Sequence, residues 1–293
     1  MKTVKMTSRL FCTLLILVIT GMGLRAQQKP LENSLLWEIS GKGLTKPSYL
    51  YGTIHMICSN DFRMSDQVKK AFDNTAKLVL EIDMFSPAVA AEMQKALIAD
   101  TPLSARLPPP QYALIDSLLK QQTGLSLQVF DNFRLMALVS FLSRMGFACD
   151  SLRIYEAEFK QMADKKQLQL ASLETLQEQM GFFDKAFPDD SIVSQLNTLD
   201  LQEMRTKTAQ MVQYYQSEEL ENVYKKIIEE KGMNESALHW LLEARNANWV
   251  KKMPGMMEEG STFFAVGAGH LAGDKGVIRL LRETGYTVKP VLH

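Results

Sequence analysis

The sequence predicts an α/β (α+β) fold, with a central mixed sheet built from both ends of the chain and a large helical insertion over about 88–250. Three observations point there. Short apolar runs bounded by glycine, proline and small polar residues lie near both ends. Between them, apolar residues recur at helical rather than alternating spacing. The run Leu78-Val79-Leu80 is continuously apolar, as in a strand covered on both faces.

Taken in order, residues 34–40 read as a first strand and Gly41-Lys42-Gly43 as a turn. Lys46-Pro47 opens a second strand that runs into Gly52-Thr53-Ile54-His55. Ser65 is placed to cap a helix over 66–74, with Val68, Ala71 and Phe72 on one face. A compact strand follows over 78–83. Ala91, Met93, Leu97 and Ile98 then repeat at helical spacing, as do Leu114, Ile115, Leu118 and Leu119. Pro108-Pro109-Pro110 separates these two helices, because proline lacks the N–H and clashes with the preceding turn. A third helix is expected over 135–145 and a fourth over 154–165, leading into a strand over 168–173 that ends at Glu174. Residues 177–247 are polar and helix-prone, with Met204, Met211, Tyr214 and Tyr215 on their apolar side. The chain returns to strand over 263–266, helix over 274–284 and strand over 287–292.

Residues 1–26 read as a secretory signal peptide: Lys2, Lys5 and Arg9 precede an apolar run over 10–20, and Ala26 ends the segment. That run is too short to be a membrane span. The expected product is a single exported domain over 27–293, periplasmic or extracellular, with no permanent membrane span. Removing Lys2, Lys5, Arg9 and Arg25 from the 33 basic residues leaves 29 against 33 acidic ones, a net charge of −4. Mild acidity argues against a nucleic-acid partner. Two cysteines remain, Cys58 and Cys149. In an exported chain they suit a disulfide, with two buried thiols or a metal-ligating Cys58 as the alternatives.

The candidate chemistry starts from two strings, Gly52-Thr53-Ile54-His55 and Gly267-Ala268-Gly269-His270. Each places a histidine just past an apolar strand, with glycine keeping the approach free of side chains. The chain has only four histidines, and His239 and His293 have no such context. Two imidazoles and a carboxylate make a metal site with open positions. Glu81 ends the otherwise apolar strand 78–82, where an unpaired carboxylate is costly, and would complete the set with His55 and His270. Glu174, at the end of another strand, is a second ligand, the base that activates water, or a helix-start carboxylate favoured by the dipole. Arg245 could grip a carboxylate ligand or an oxyanion with two hydrogen bonds, and Asn246 could donate beside it; a solvated helix face is the alternative. Gly267 to Gly273 lacks the G-K-[ST] ending of a phosphate loop. The 17 methionines suit core filling or a groove for apolar ligands.

These residues resemble the TraB/GumN family, which is related to the Tiki metalloproteases. The resemblance covers 35–292. It is carried by Leu36-Trp37-Glu38-Ile39, Tyr51-Gly52-Thr53-Ile54-His55, Leu80-Glu81-Ile82-Asp83, Leu173-Glu174-Thr175, Glu243-Ala244-Arg245-Asn246 and the run from Phe264 to Gly273. It implies an α/β core with a helical insertion and a divalent metal on the two G-x-x-H histidines and a glutamate. It does not extend to the C-terminal membrane span of Tiki proteins, so a membrane-tethered setting does not carry over.

The expectation is therefore an exported metal-dependent hydrolase, a peptidase acting on a peptide or protein substrate. His55, Glu81 and His270 would hold Mn, Co or Zn; Glu174 would serve as base, and Arg245 and Asn246 as oxyanion donors. The rival expectation is a non-catalytic exported binding protein, with a Met- and Tyr-lined cleft for peptide or lipid.

Overall fold

The computed structural model describes residues 30–230 and 232–292. The expected signal peptide and His293 lie outside them.

Strands β1 (Leu36–Ser40) and β2 (Ser48–Thr53) pair antiparallel across the expected turn, where Gly41 and Gly43 take φ of 89° and 82°. Strand β3 (Met56–Cys58) follows directly. Helix α1 (Asp66–Asp73) starts at Ser65, whose hydroxyl accepts from Val68 N at 3.3 Å, and it buries Val68, Ala71 and Phe72 as the spacing required. Strand β4 (Lys77–Leu80) leads into the insertion, with helices α2 (Pro87–Ala96), α3 (Leu103–Arg106), α4 (Pro109–Thr123) and α5 (Leu135–Met145). The three prolines end one helix and begin the next, with Pro109 and Pro110 in the first turn of α4, where no N–H is needed.

Next come β5 (Leu152–Ile154), α6 (Tyr155–Lys166) and β6 (Gln169–Ser172). Helices α7 (Leu176–Ala186), α8 (Asp189–Leu196), α9 (Leu201–Gln216) and α10 (Leu220–Ile228) follow. Helix α11 (Glu235–Leu238) passes through a π-helical turn, His239–Glu243, into α12 (Ala244–Glu258). Strand β7 (Thr262–Gly267), helix α13 (Val277–Glu283) and strand β8 (Thr287–Pro290) close the fold.

The sheet order is β6-β4-β7-β2-β1-β8. The four strands β6, β4, β7 and β2 run parallel, while β1 is antiparallel to both of its neighbours. The sheet is mixed and draws on both ends of the chain, and β6 joins its edge from within the insertion. Strand β7 lies between β4 and β2, and every residue of β2, β4 and β7 is buried. On one face Phe263 packs against Phe72 of α1 and Phe159 of α6, with ring centroids 5.2 and 5.0 Å apart. Each such ring contributes about 1.5–3 kcal/mol by leaving water. A separate apolar cluster holds the insertion together, formed by Ile115 and Leu119 of α4, Leu138 and Leu142 of α5, and Ile192 and Leu196 of α8.

Two details differ from expectation. The helix predicted over 274–284 begins only at Val277, because the chain turns first at Gly273 (φ 81°) and Gly276 caps the helix. The small β3–β5 sheet was not expected, since three-residue strands carry too little alternation to read.

Cys58 and Cys149 form a disulfide with a Cα–Cα distance of 6.0 Å, which decides against both free thiols and a Cys58 metal ligand. The bond clamps β3 to the segment before β5. Reduction should raise the intact mass by two hydrogens, and replacing both cysteines by alanine should lower stability by about 2–4 kcal/mol. An unchanged mass with two freely alkylated thiols would exclude the bond.

Candidate active site

Parallel strands deliver their following residues to one edge of a sheet, where α/β proteins place their ligands. Here β2 leads to His55, β4 to Glu81, β6 to Glu174 and β7 to His270. Pairing continues past the strand ends: Leu173 N donates to Leu80 O at 2.9 Å and Glu174 N to Glu81 O at 3.0 Å, which sets the two glutamates side by side.

His55 sits at a reversal between β2 and β3. Its φ is 56°, in the left-handed region, and Met56 N donates to Ile54 O across it at 2.7 Å. A non-glycine residue in such a tight turn is strained, and strain of this kind collects at functional sites. Tyr155 N also donates to His55 O at 2.9 Å, linking the turn to α6. The ring Nδ1 bonds Glu156 Oε1 at 2.7 Å, and Thr53 Oγ1 donates to the same oxygen at 2.7 Å. Although 56% of the His55 side-chain surface is open to water, that surface is the wall of a cavity. Burial opposes the charged ring, but the Glu156 carboxylate outweighs it and pushes the pKa up to about 9.

Glycine at 267 makes the meeting point possible. A Cβ there would lie 3.0 Å from His55 Nε2 and 3.4 Å from Glu81 Oε1, while the backbone N–H donates to Glu81 Oε1 at 2.8 Å. At Gly52 a Cβ would lie 3.0 Å from Ala268 Cα, in the turn carrying His270. Both glycines of the sequence pattern are thus required by close approach.

Arg245, buried on α12 two residues past the π turn, is the centre of a charge network. Nε donates to Glu174 Oε1 and Oε2 at 3.0 and 3.2 Å. Nη2 donates to Glu174 Oε1 and Glu81 Oε2, each at 2.5 Å. Nη1 donates to Leu241 O and His270 Nε2, each at 3.1 Å. These partners account for all five N–H bonds of a guanidinium. Burial opposes ionisation of Glu81, but the Arg245 charge, the protonated His55 and the Gly267 N–H hold its carboxyl far below the usual carboxylate range. Burial likewise opposes the Arg245 charge, and Glu81 and Glu174 more than compensate.

His270 is fixed from its other side. Asn246 Nδ2 donates to two carbonyls, His270 O at 3.2 Å and Lys275 O at 2.8 Å, so its Oδ1 is the atom 2.6 Å from His270 Nδ1. Nδ1 therefore carries the proton, and Nε2 keeps a lone pair, 3.8 Å from Glu81 Oε1. Burial and the neighbouring Arg245 charge push the His270 pKa well below 6.5, so the ring is neutral. Trp249, one turn beyond Arg245, packs on His270 with ring centroids 4.3 Å apart and donates Nε1–H to Glu174 Oε2 at 3.1 Å.

His55, Glu81, Glu156, Gln179, Arg245 and His270 line one cavity of about 670 Å³. Glu174 and Asn246 do not line it. The Glu174 oxygens are taken by Arg245, Trp249 and Gln179 Nε2, the last at 3.0 Å, so Glu174 lies behind Arg245 rather than facing a substrate. As arranged, every N–H of Arg245 and of the Asn246 amide is engaged: Arg245 grips carboxylates, the first of its two expected roles, and Asn246 orients a histidine rather than facing an oxyanion. Sequence reasoning missed Glu156, Gln179 and Trp249 as part of this network. The only available signal was their spacing, with Trp249 four residues after Arg245 and Gln179 five after Glu174.

Two imidazoles and a carboxylate are donor types that a divalent cation takes. Each histidine has its Nδ1 tied to an oxygen, as metal-ligating histidines do; Glu81 Oε1 lies 3.8 Å from His270 Nε2, and it and His55 Nε2 both flank Gly267. As arranged, His270 Nε2 accepts from Arg245, and among the described residues no group of three or more His, Cys, Asp or Glu is gathered to ligand distance.

A model of the TraB/PrgY/gumN family matches residues 35–290. The chain belongs to the TraB/PrgY/gumN family. Among curated relatives, a Danio rerio protein named Metalloprotease TIKI1 is 23% identical over 315 residues, covering 88% of this chain and 63% of the relative. The chain thus spans less than two thirds of that protein's length. No solved structure matches it significantly. In this TraB/PrgY/gumN chain, no helix among the described residues is long and apolar enough to cross a membrane.

The histidines give the metal-free protein opposite pH dependences. His55, with its pKa raised from 6.5 to about 9, stabilises fully below pH 6.5, and that contribution is lost as pH rises through 9. His270, held neutral, costs stability as pH falls below 6.5, because only the unfolded chain then takes up its proton. In Glu156→Gln the alkaline loss should vanish and the His55 NMR titration should move toward 6.5; a wild-type midpoint near 6.5 would refute the charge pairing.

Proposed function

We propose that this protein is an exported metal-dependent hydrolase acting on peptide bonds. The observation that carries the reading is the matched pair of histidines, each anchored at Nδ1 by an oxygen and both lining one cavity with Glu81. Family membership and the named metalloprotease relative support it. The disulfide supports an oxidising compartment, periplasmic or extracellular.

A divalent Mn, Co or Zn held by His55 Nε2, His270 Nε2 and Glu81 would supply Lewis acidity toward water and the scissile carbonyl. The chain's own residues do the rest. Arg245 holds Glu81 ionised and fixed, with Glu174 and Trp249 holding Arg245 in turn. Asn246 keeps His270 in the tautomer whose Nε2 carries a lone pair, which Arg245 Nη1 occupies as arranged. Glu156 takes over the role expected of Glu174. It lines the cavity, and its Oε1 receives bonds from His55 and Thr53. Its Oε2 is the atom to accept a proton from attacking water and return it to the leaving amine.

The binding-protein reading draws on the apolar walls of the same cavity, which include Ile82, Met84, Phe183 and Leu241. Metal content separates the two. Purified wild type should carry about one divalent ion per chain, and His55→Ala and His270→Ala far less; negligible metal in all three would leave only the binding role. In a metal-supplemented screen against a peptide library, Arg245→Lys should cost about 10–100-fold in turnover, because an ammonium with three donors cannot reproduce the guanidinium's bonds to Glu81, Glu174, His270 and Leu241 together. Full activity of that variant would remove Arg245 from the mechanism.

A further inference from the structure

A second cavity, of about 440 Å³, opens within the helical insertion. It shares two wall residues with the candidate active site, Ile54 and Met211. Ile54 is the residue directly before His55, so the boundary between the two spaces lies beside the candidate metal ligands. Helix α9 borders both: Met204 and Met211 line the second cavity, while Met211 and Tyr215, one turn further, line the first. A chain bound at His55 and His270 would therefore meet the wall of this second cavity at Ile54.

The geometry points to this cavity as a specificity subsite that takes a bulky apolar side chain (Met, Leu or Phe) of a peptide substrate. Four methionines, Met136, Met204, Met211 and Met233, lie in its walls. Unbranched thioethers adapt to several apolar shapes, which suits a class of residues rather than one. Lys207 and Glu230, paired at 3.2 Å, line the same space. With Glu203, also paired to Lys207 at 3.2 Å, they give a peptide's N–H and C=O groups both acceptors and a donor, while the two carboxylates repel the carboxylate of a fatty acid, which favours peptide over lipid. The inference rests on the peptidase reading and adds to it the class of side chain selected.

The test uses fluorescein-labelled Ala/Gly heptapeptides carrying one Met, Leu, Phe or Asp at each position in turn, with the full-length, Mn-supplemented protein. Binding is read by anisotropy and cleavage by mass spectrometry in the same samples. At one position the apolar peptides should bind at least about tenfold tighter than the Asp peptide, the scale expected for burying one such side chain. Val139→Phe and Met204→Trp, which narrow the cavity from α5 and α9, should erase that preference. A photo-reactive leucine analogue at the same position should label residues of α5 or α9 in wild type, a readout that needs no variant to fold. Equal binding across the series, a preference untouched by both variants, or labelling elsewhere would overturn the subsite. Oleate binding where no peptide does would assign the cavity to an acyl chain. Preferential binding without any cleavage would leave the subsite standing and sink the peptidase reading.

Discussion

Arg245 inside the fold is the constraint from which the rest of the site follows. A buried guanidinium is tolerable only when its charge and all its donors are met, and here Glu81, Glu174, His270 and the Leu241 carbonyl meet them. Those partners come from β4, β6, the turn after β7 and the π-helical turn, so one side chain fastens four separate pieces of the molecule. Two carboxylates against one guanidinium leave a net negative charge at the sheet edge. The protonated His55 balances part of it, and a divalent cation could do the same.

The π turn fits this demand. It widens the helix just before Arg245, and its Leu241 carbonyl accepts from the Arg245 side chain at 3.1 Å. Such widened turns are rare and tend to fall at functional sites. Asn246 and Trp249 follow on the same helix and reach His270 and Glu174. Helix α12 thereby carries most of the framework that orients the cavity-facing residues, while the sheet carries those residues themselves.

Much of this was legible in the sequence because strand and helix periodicity are local. The apolar run before Glu81 and the glycines before His55 and His270 announced strand ends with exposed chemistry, and the close approaches at Gly52 and Gly267 explain why glycine was there. Roles were harder to read than places. Glu174 and Glu81 look alike in sequence, each a carboxylate ending an apolar strand, yet Arg245 and Trp249 cover one and leave the other facing the cavity. Glu156, in the first turn of α6, has the signature of a charge placed for the helix dipole. Its pairing with His55 depends on β3 and β5, two strands too short to announce themselves. Long-range partnership of this kind has no periodicity to betray it.

The position of β7 has a consequence for how the molecule comes into being. Strands β2 and β4 are made early, but each pairs with β7, and the sheet order never places them against one another. Until residues 262–267 emerge, the growing chain has a gap where its central strand belongs, and two fully buried strands have no neighbour on their inner edges. Loop closure over so long a separation is entropically slow. Without residues 262–267 the two halves of the sheet therefore have no strand to join them.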